Sequence, residues 1–154
     1  MTVGPSTGTQ PRWRPPSVSA GALMVLAATA FAAASIIHFG VAIPVGFATL
    51  SDPFAGAAVP EAVIALVVAT GAVAVLTRRP AARGIALTAT LFALLGTVYG
   101  LTVTLGSTRT GDIAYHLGIL ATLLVILGLV LVPGRTRRRG GSLDRHGRTG
   151  PPRN

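Results

Sequence analysis

Apolar residues along this chain fall into four long blocks, at residues 20–43, 54–77, 84–106 and 113–132, each covering 20 residues or more. A helix rising ~1.5 Å per residue needs ~20 such residues to cross a hydrocarbon core ~30 Å thick. The pattern therefore predicts an all-α fold, a membrane bundle of four transmembrane helices within residues 19–133. Residues 1–18 gather Pro5, Pro11, Pro15 and Pro16 among Ser, Thr and Gly, and residues 134–154 gather seven arginines with Gly140, Gly141, Pro151 and Pro152. Neither stretch can bury a core, so both are expected to be disordered tails.

The first block has a second reading. Arg12 and Arg14, an apolar core and the small residues 32–35 also resemble a secretory signal peptide. The apolar run nevertheless continues through Ile36, Ile37, Phe39, Val41 and Ile43, beyond a signal core of ~7–15 residues, which favours a retained helix.

Small residues indicate where these helices should meet, because lipid offers no hydrophobic drive and close backbone approach must replace it. Block three carries Ala86, Thr90, Ala93, Thr97, Gly100 and Thr104 on one face, with Gly96 and Gly100 at GxxxG spacing. Block four carries a comparable row, Ala114, Gly118, Ala121, Val125, Gly128 and Val132. These two rows predict close packing within the bundle, or alternatively a dimer face. The threonines are expected to bond back to their own helix rather than to line a conduit. The connection at residues 78–83, with Pro80, makes blocks two and three antiparallel neighbours.

Charge then orients the bundle. The 13 Lys and Arg residues are all arginine and exceed the 4 acidic residues by 9. In a soluble protein that excess would suggest nucleic acid, yet here position accounts for it and no nucleic-acid partner is expected. Arg12 and Arg14 precede block one, Arg78, Arg79 and Arg83 lie between blocks two and three, seven arginines follow block four, and only Arg109 falls on the opposite side. Arginine-rich short loops stay cytoplasmic, so both termini and the middle connection are assigned inside a bacterial cytoplasmic membrane, with residues 44–53 and 107–112 outside. Arg135, Arg137, Arg138 and Arg139 fix that topology and could also contact anionic lipid. Trp13 between two arginines is an interfacial anchor or an incidental tail residue. With 51% hydrophobic and 11% charged residues and a mean hydropathy of +0.67, no soluble domain is expected. The absence of cysteine removes disulfides, thiolate catalysis and sulfur-ligated metal.

Candidate chemistry is confined to one level. No ionisable residue lies near the middle of any block, which weighs against an ion-coupled transporter. His38 ends block one, Glu61 begins block two, Tyr99 lies near the end of block three, and Asp112, Tyr115 and His116 open block four. Asp112 and His116 are spaced i, i+4 on one helix face, as two metal ligands can be. With His38 and Glu61 they would form a two-histidine, two-carboxylate set suited to zinc, copper or iron, or two histidines flanking a haem. The plainer reading makes Glu61 and Asp112 helix caps, places Tyr99 and Tyr115 in an interfacial aromatic belt, and turns His116, about 180° from the small-residue row at ~100° per residue, towards lipid headgroups or a different neighbour.

The order Ile37–Phe39, Pro60–Glu61 and Asp112–His116 resembles small uncharacterised four-helix transmembrane proteins of actinobacteria over roughly residues 20–132. The resemblance implies the membrane architecture and brings no activity, cofactor or partner with it.

From sequence, then, a non-enzymatic structural or accessory membrane protein without a cofactor is expected, acting through lipid, other membrane proteins or its own copies. The alternatives are a metal- or haem-binding redox module using His38, Glu61, Asp112 and His116, and a homodimeric small-solute transporter. The orientation is directly measurable. A phosphatase reporter inserted at Thr49 should be active and one inserted at Arg79 silent, and the reverse pattern would invert the bundle.

Overall fold

The computed structural model describes residues 18–106 and 110–132. In chain order these form α1 (Val18–His38), β1 (Ile43–Val45), β2 (Ala48–Leu50), α2 (Ala55–Leu76), α3 (Ala82–Leu105) and α4 (Thr110–Leu131). The expectations for both tails, Trp13 and the tail arginines lie outside the described residues.

The first helix stops short of its apolar block. Residues 39–43 are apolar enough to continue it, but Gly40 adopts φ 90°, the left-handed geometry that glycine takes at no steric cost. Its N–H reaches the Ile37 carbonyl at 2.9 Å and the Val41 N–H reaches that of Ile36 at 3.2 Å, the paired bonds of a Schellman stop. His38 is thereby the last residue of α1. The chain continues as a short antiparallel hairpin in place of the expected loop, with Val45 opposite Ala48 and Gly46, at φ 58°, in the turn.

The same device ends α2 without a glycine. The Arg78 N–H bonds the Val75 carbonyl at 3.1 Å and the Arg79 N–H that of Ala74 at 3.0 Å, while Arg78 itself sits at φ 54°. A side chain in that region costs ~1–2 kcal/mol. At the same end of the bundle, Arg83 Nη2 donates to the Leu131 carbonyl at 2.7 Å, satisfying an acceptor at the end of α4.

The four helices run up, down, up and down in a ring, each packed on its neighbours in sequence and α4 closing against α1. They are 21, 22, 24 and 22 residues long, and all four are long and apolar enough to cross a membrane. Large side chains such as Leu26, Leu66, Leu95 and Leu124 point outwards all round the ring, as lipid-facing residues do. The interior is built from Met24, Phe31, Val68, Leu123 and Ile126 between alanine-rich backbones.

Glycines act in this interior as notches for single side chains. Gly71 of α2 receives Met24 of α1 and abuts Ala86 and Ala89 of α3, and Gly96 of α3 receives Ile64 of α2. The predicted seam on α3 is observed, with Ala86, Thr90, Ala93, Thr97 and Thr104 buried. Their threonines bond their own helix as expected, Thr90 to Ala86 at 2.7 Å and Thr97 to Ala93 at 2.8 Å.

On α4 the expected packing of the small-residue row within the bundle is corrected, which leaves the dimer-face alternative standing. Ala114, Gly118, Ala121, Val125, Gly128 and Val132 are all exposed, and the packed face carries His116, Ile119, Leu123, Ile126 and Val130. The larger residues reach inwards because α3 already presents small ones, and two facing rows of small residues would leave a void.

This assignment of faces makes opposite predictions for two glycines. Gly71→Leu drives a side chain into Met24 and Ala89 and should cost about 2–3 kcal/mol in reversible unfolding from mixed micelles. Gly118→Leu, which meets open space, should stay within ~0.5 kcal/mol of the parent protein.

Candidate functional site

Polar side chains enter this apolar bundle at the hairpin end, where most of them find a partner. His38 reaches it as the last residue of α1. Glu61 and His116 are each the seventh residue of their helices, ~9 Å along from the first residue at ~1.5 Å per residue. All three are buried.

His38 and Glu61 meet across the α1–α2 interface, Nδ1 to Oε2, at 2.7 Å. Glu61 therefore does not cap its helix as the plainer reading had it: it sits in the second turn, and the first turn of α2 holds no acidic residue. Two further bonds tie the same ends together. Ser35 Oγ donates to the Ala58 carbonyl at 2.7 Å and the Phe54 N–H donates to the His38 carbonyl at 3.0 Å. Phe54 also stands edge-on to the His38 ring, with centroids 6.1 Å apart.

The other imidazole nitrogen faces a carboxylate brought round by the hairpin. His38 Nε2 lies 4.0 Å from Asp52 Oδ2. Asp112, in the first turn of α4, completes the group: one ligand atom each from His38, Asp52 and Asp112 lie within 4.8 Å of one another. Asp52 is thus part of the site, although the sequence had placed it only within the outer segment, residues 44–53. The signal that could have found it is the turn-forming composition of Ser51, Asp52 and Pro53 directly before Phe54, whose N–H holds the segment to the end of α1.

His116 plays a different part from the one its spacing suggests. Rather than sharing a ligand pair with the Asp112 side chain, its Nδ1 donates to the Asp112 backbone carbonyl at 2.7 Å. A carbonyl only accepts, so Nδ1 carries the hydrogen and Nε2 of the neutral ring presents a lone pair. The ring stands against Gly100 so closely that a Cβ there would collide with Nε2. Thus His116 faces the bundle and not lipid, because the small-residue row on the far side of α4 is the exposed one.

The tyrosines separate likewise. Tyr99 is exposed, in keeping with an interfacial aromatic. Tyr115 instead packs edge-on against Phe31 at 6.4 Å and against the core, and its hydroxyl has no partner among the described residues. Glu61 Oε1 is likewise enclosed without a partner among them.

Beneath the His38 group lies a cavity of about 250 Å³ whose wall includes Phe31, Glu61, Ile64, Gly100, Asp112 and His116. All four residues expected to form a site therefore line one space, arranged as two layers. His38 and Asp112 sit with Asp52, whereas Glu61 backs His38 and His116 stands against Gly100. The chain has no match among protein-family models, curated proteins or solved structures, and the chemistry of the site rests on this geometry.

The tautomer of His116 is a direct readout of the arrangement. Long-range ¹⁵N–¹H correlation spectra at neutral pH should show its Nδ1 protonated and its Nε2 bare. An Nε2–H tautomer would mean that the ring does not bond the Asp112 carbonyl.

Proposed function

We propose that this integral membrane protein is a non-enzymatic metal-binding module of a bacterial cytoplasmic membrane, holding a divalent cation through His38, Asp52 and Asp112 on the outer side. The observation that supports this most is the approach of three ligand atoms to within 4.8 Å of one another, from α1, the segment after the hairpin and α4. One imidazole nitrogen and two carboxylates suit manganese, iron or zinc. Glu61 supplies the supporting contact that metal-binding histidines commonly have: its carboxylate accepts from His38 Nδ1 and leaves Nε2 to the ion. A cation would also offset the repulsion among the three carboxylates of Asp52, Glu61 and Asp112, gathered at one end of an apolar bundle. The arginine distribution supports the outward orientation.

A haem is the poorer occupant. His38 turns to Glu61 and Asp52 while His116 rests on Gly100, which is not the disposition of two axial ligands sharing one iron. Transport requires a path through the bilayer, and this cavity extends no further along α2 and α3 than Ile64 and Gly96. A purely structural role would rest on the exposed small-residue row of α4 alone, and it leaves the convergence of His38, Asp52 and Asp112 without a purpose.

Cobalt(II) is a convenient probe, since its visible spectrum reports coordination directly. The purified protein should bind one equivalent, and His38→Ala and Asp112→Asn should each abolish the signal. Glu61→Gln, which keeps the shape and removes the charge behind His38, should weaken binding about 10–100-fold. His116→Ala should leave the cobalt spectrum in place. Absence of any stoichiometric signal from the unmodified protein would remove this reading.

A further inference from the structure

We infer that the cavity beneath the metal ligands is a binding site for a small primary organic ammonium ion, held between Glu61 and His116. Its wall is mainly apolar, and the buried polar groups set into it share one property: they accept hydrogen bonds and have none left to give.

His116 is 9% exposed and Glu61 5%, so both are effectively withdrawn from water. The backbone carbonyl of Asp112 fixes the hydrogen of His116 on Nδ1, which leaves the Nε2 lone pair against Gly100. Glu61 commits Oε2 to His38, and Oε1 has no partner among the described residues. Thr97 and Thr104 also line the cavity, but each spends its hydroxyl hydrogen on its own helix, Thr97 on the Ala93 carbonyl at 2.8 Å and Thr104 on that of Gly100 at 2.5 Å. Pro60 has no N–H to offer the carbonyl of Gly56, a further residue of the wall.

An unmatched buried acceptor is costly, and a bound group recovers that cost only by bringing the missing hydrogens. At Glu61, His116, Thr97 and Thr104 an anion or a carbonyl compound would meet only lone pairs, the donors of the wall being the exposed Tyr99 and Gly56 nearer its rim. A protonated primary amine brings three N–H donors and the charge that the Glu61 carboxylate calls for, while Phe31, Ile64 and Val103 supply an apolar lining for a short carbon chain. A cavity of about 250 Å³ suits an ammonium of about four carbons. A quaternary ammonium has the charge but no N–H, and an alcohol has one hydrogen and no charge, so the buried acceptors of Glu61 and His116 select against both.

The test uses the full-length protein in lipid nanodiscs, with a chelator present to keep the metal ligands empty, and titrates n-butylammonium by calorimetry. Saturable binding at one site is expected, about tenfold or more tighter than for 1-butanol or tetramethylammonium, the factor that one charge-assisted hydrogen bond is worth. Glu61→Gln should weaken it by at least about tenfold. Gly100→Ala, whose new methyl displaces the His116 ring while keeping every polar group of the wall, should do the same, and it decides the question if Glu61→Gln does not fold. Gly118→Ala, on the exposed face of α4, should bind as the parent does. Equal affinity for 1-butanol, lack of saturation, or an unchanged titration with Gly100→Ala overturns the inference. The two ligands also separate the two sites: butylammonium binding without a cobalt signal retains this site and removes the metal reading, and the converse result removes this site alone.

Discussion

The 2.7 Å hydrogen bond between His38 Nδ1 and Glu61 Oε2 is the contact on which the hairpin end of the bundle turns. Either residue alone, buried in an apolar helix pair, would carry a large desolvation penalty, and each removes much of the other's. The bond also has a direction. By engaging Nδ1 it turns Nε2 towards Asp52, so that the same pairing that allows α1 and α2 to meet prepares a nitrogen facing two carboxylates. Stability and chemistry here are two results of one proton position.

Around that contact the bundle is assembled by matching volumes rather than by matching surfaces. In lipid, helices gain nothing from hiding apolar area from one another, so closeness of fit decides the contacts. Gly71 admits Met24, Gly96 admits Ile64 and Gly100 admits His116. The last of these joins packing to chemistry. A glycine on α3 is what lets an imidazole stand beside the cavity, with its Nε2 where a side chain would otherwise be, and the residue four positions before it on α3 performs an ordinary packing task against α2. The two glycines of one GxxxG step thus serve different helices, instead of forming a single backbone-to-backbone seam.

Much of the α3 surface was readable from spacing, because Ala86, Thr90, Ala93 and Thr97 are both small and buried, and the threonines return their hydroxyls to their own helix as their chemistry dictates. The α4 surface was not readable in the same way. Its small residues mark a real stripe, but a stripe does not say which side is inside. That choice was made by α3: once one helix offers small residues, its partner must fill the gap with large ones, so Ile119, Leu123 and Ile126 turn inwards and carry His116 with them. The chain ends of α1 show a comparable limit. Apolarity alone extends the first helix to residue 43, whereas a single glycine at residue 40 stops it and gives His38 its place at the helix end.

The sequence by itself determined the membrane bundle, the number and order of its helices and the level at which polar residues gather, since each follows from how many apolar residues fit across hydrocarbon and where charge is excluded. It also supplied His38, Glu61, Asp112 and His116 as the residues of that level. Only the tertiary structure decided how they divide. It paired Glu61 with His38, brought Asp52 back over the end of α1 through the hairpin, and tied His116 to a backbone carbonyl beside Gly100. The reason is that spacing along one helix defines a face, whereas a partner in a buried hydrogen bond is defined by which atom on another helix lies within about 3 Å of it.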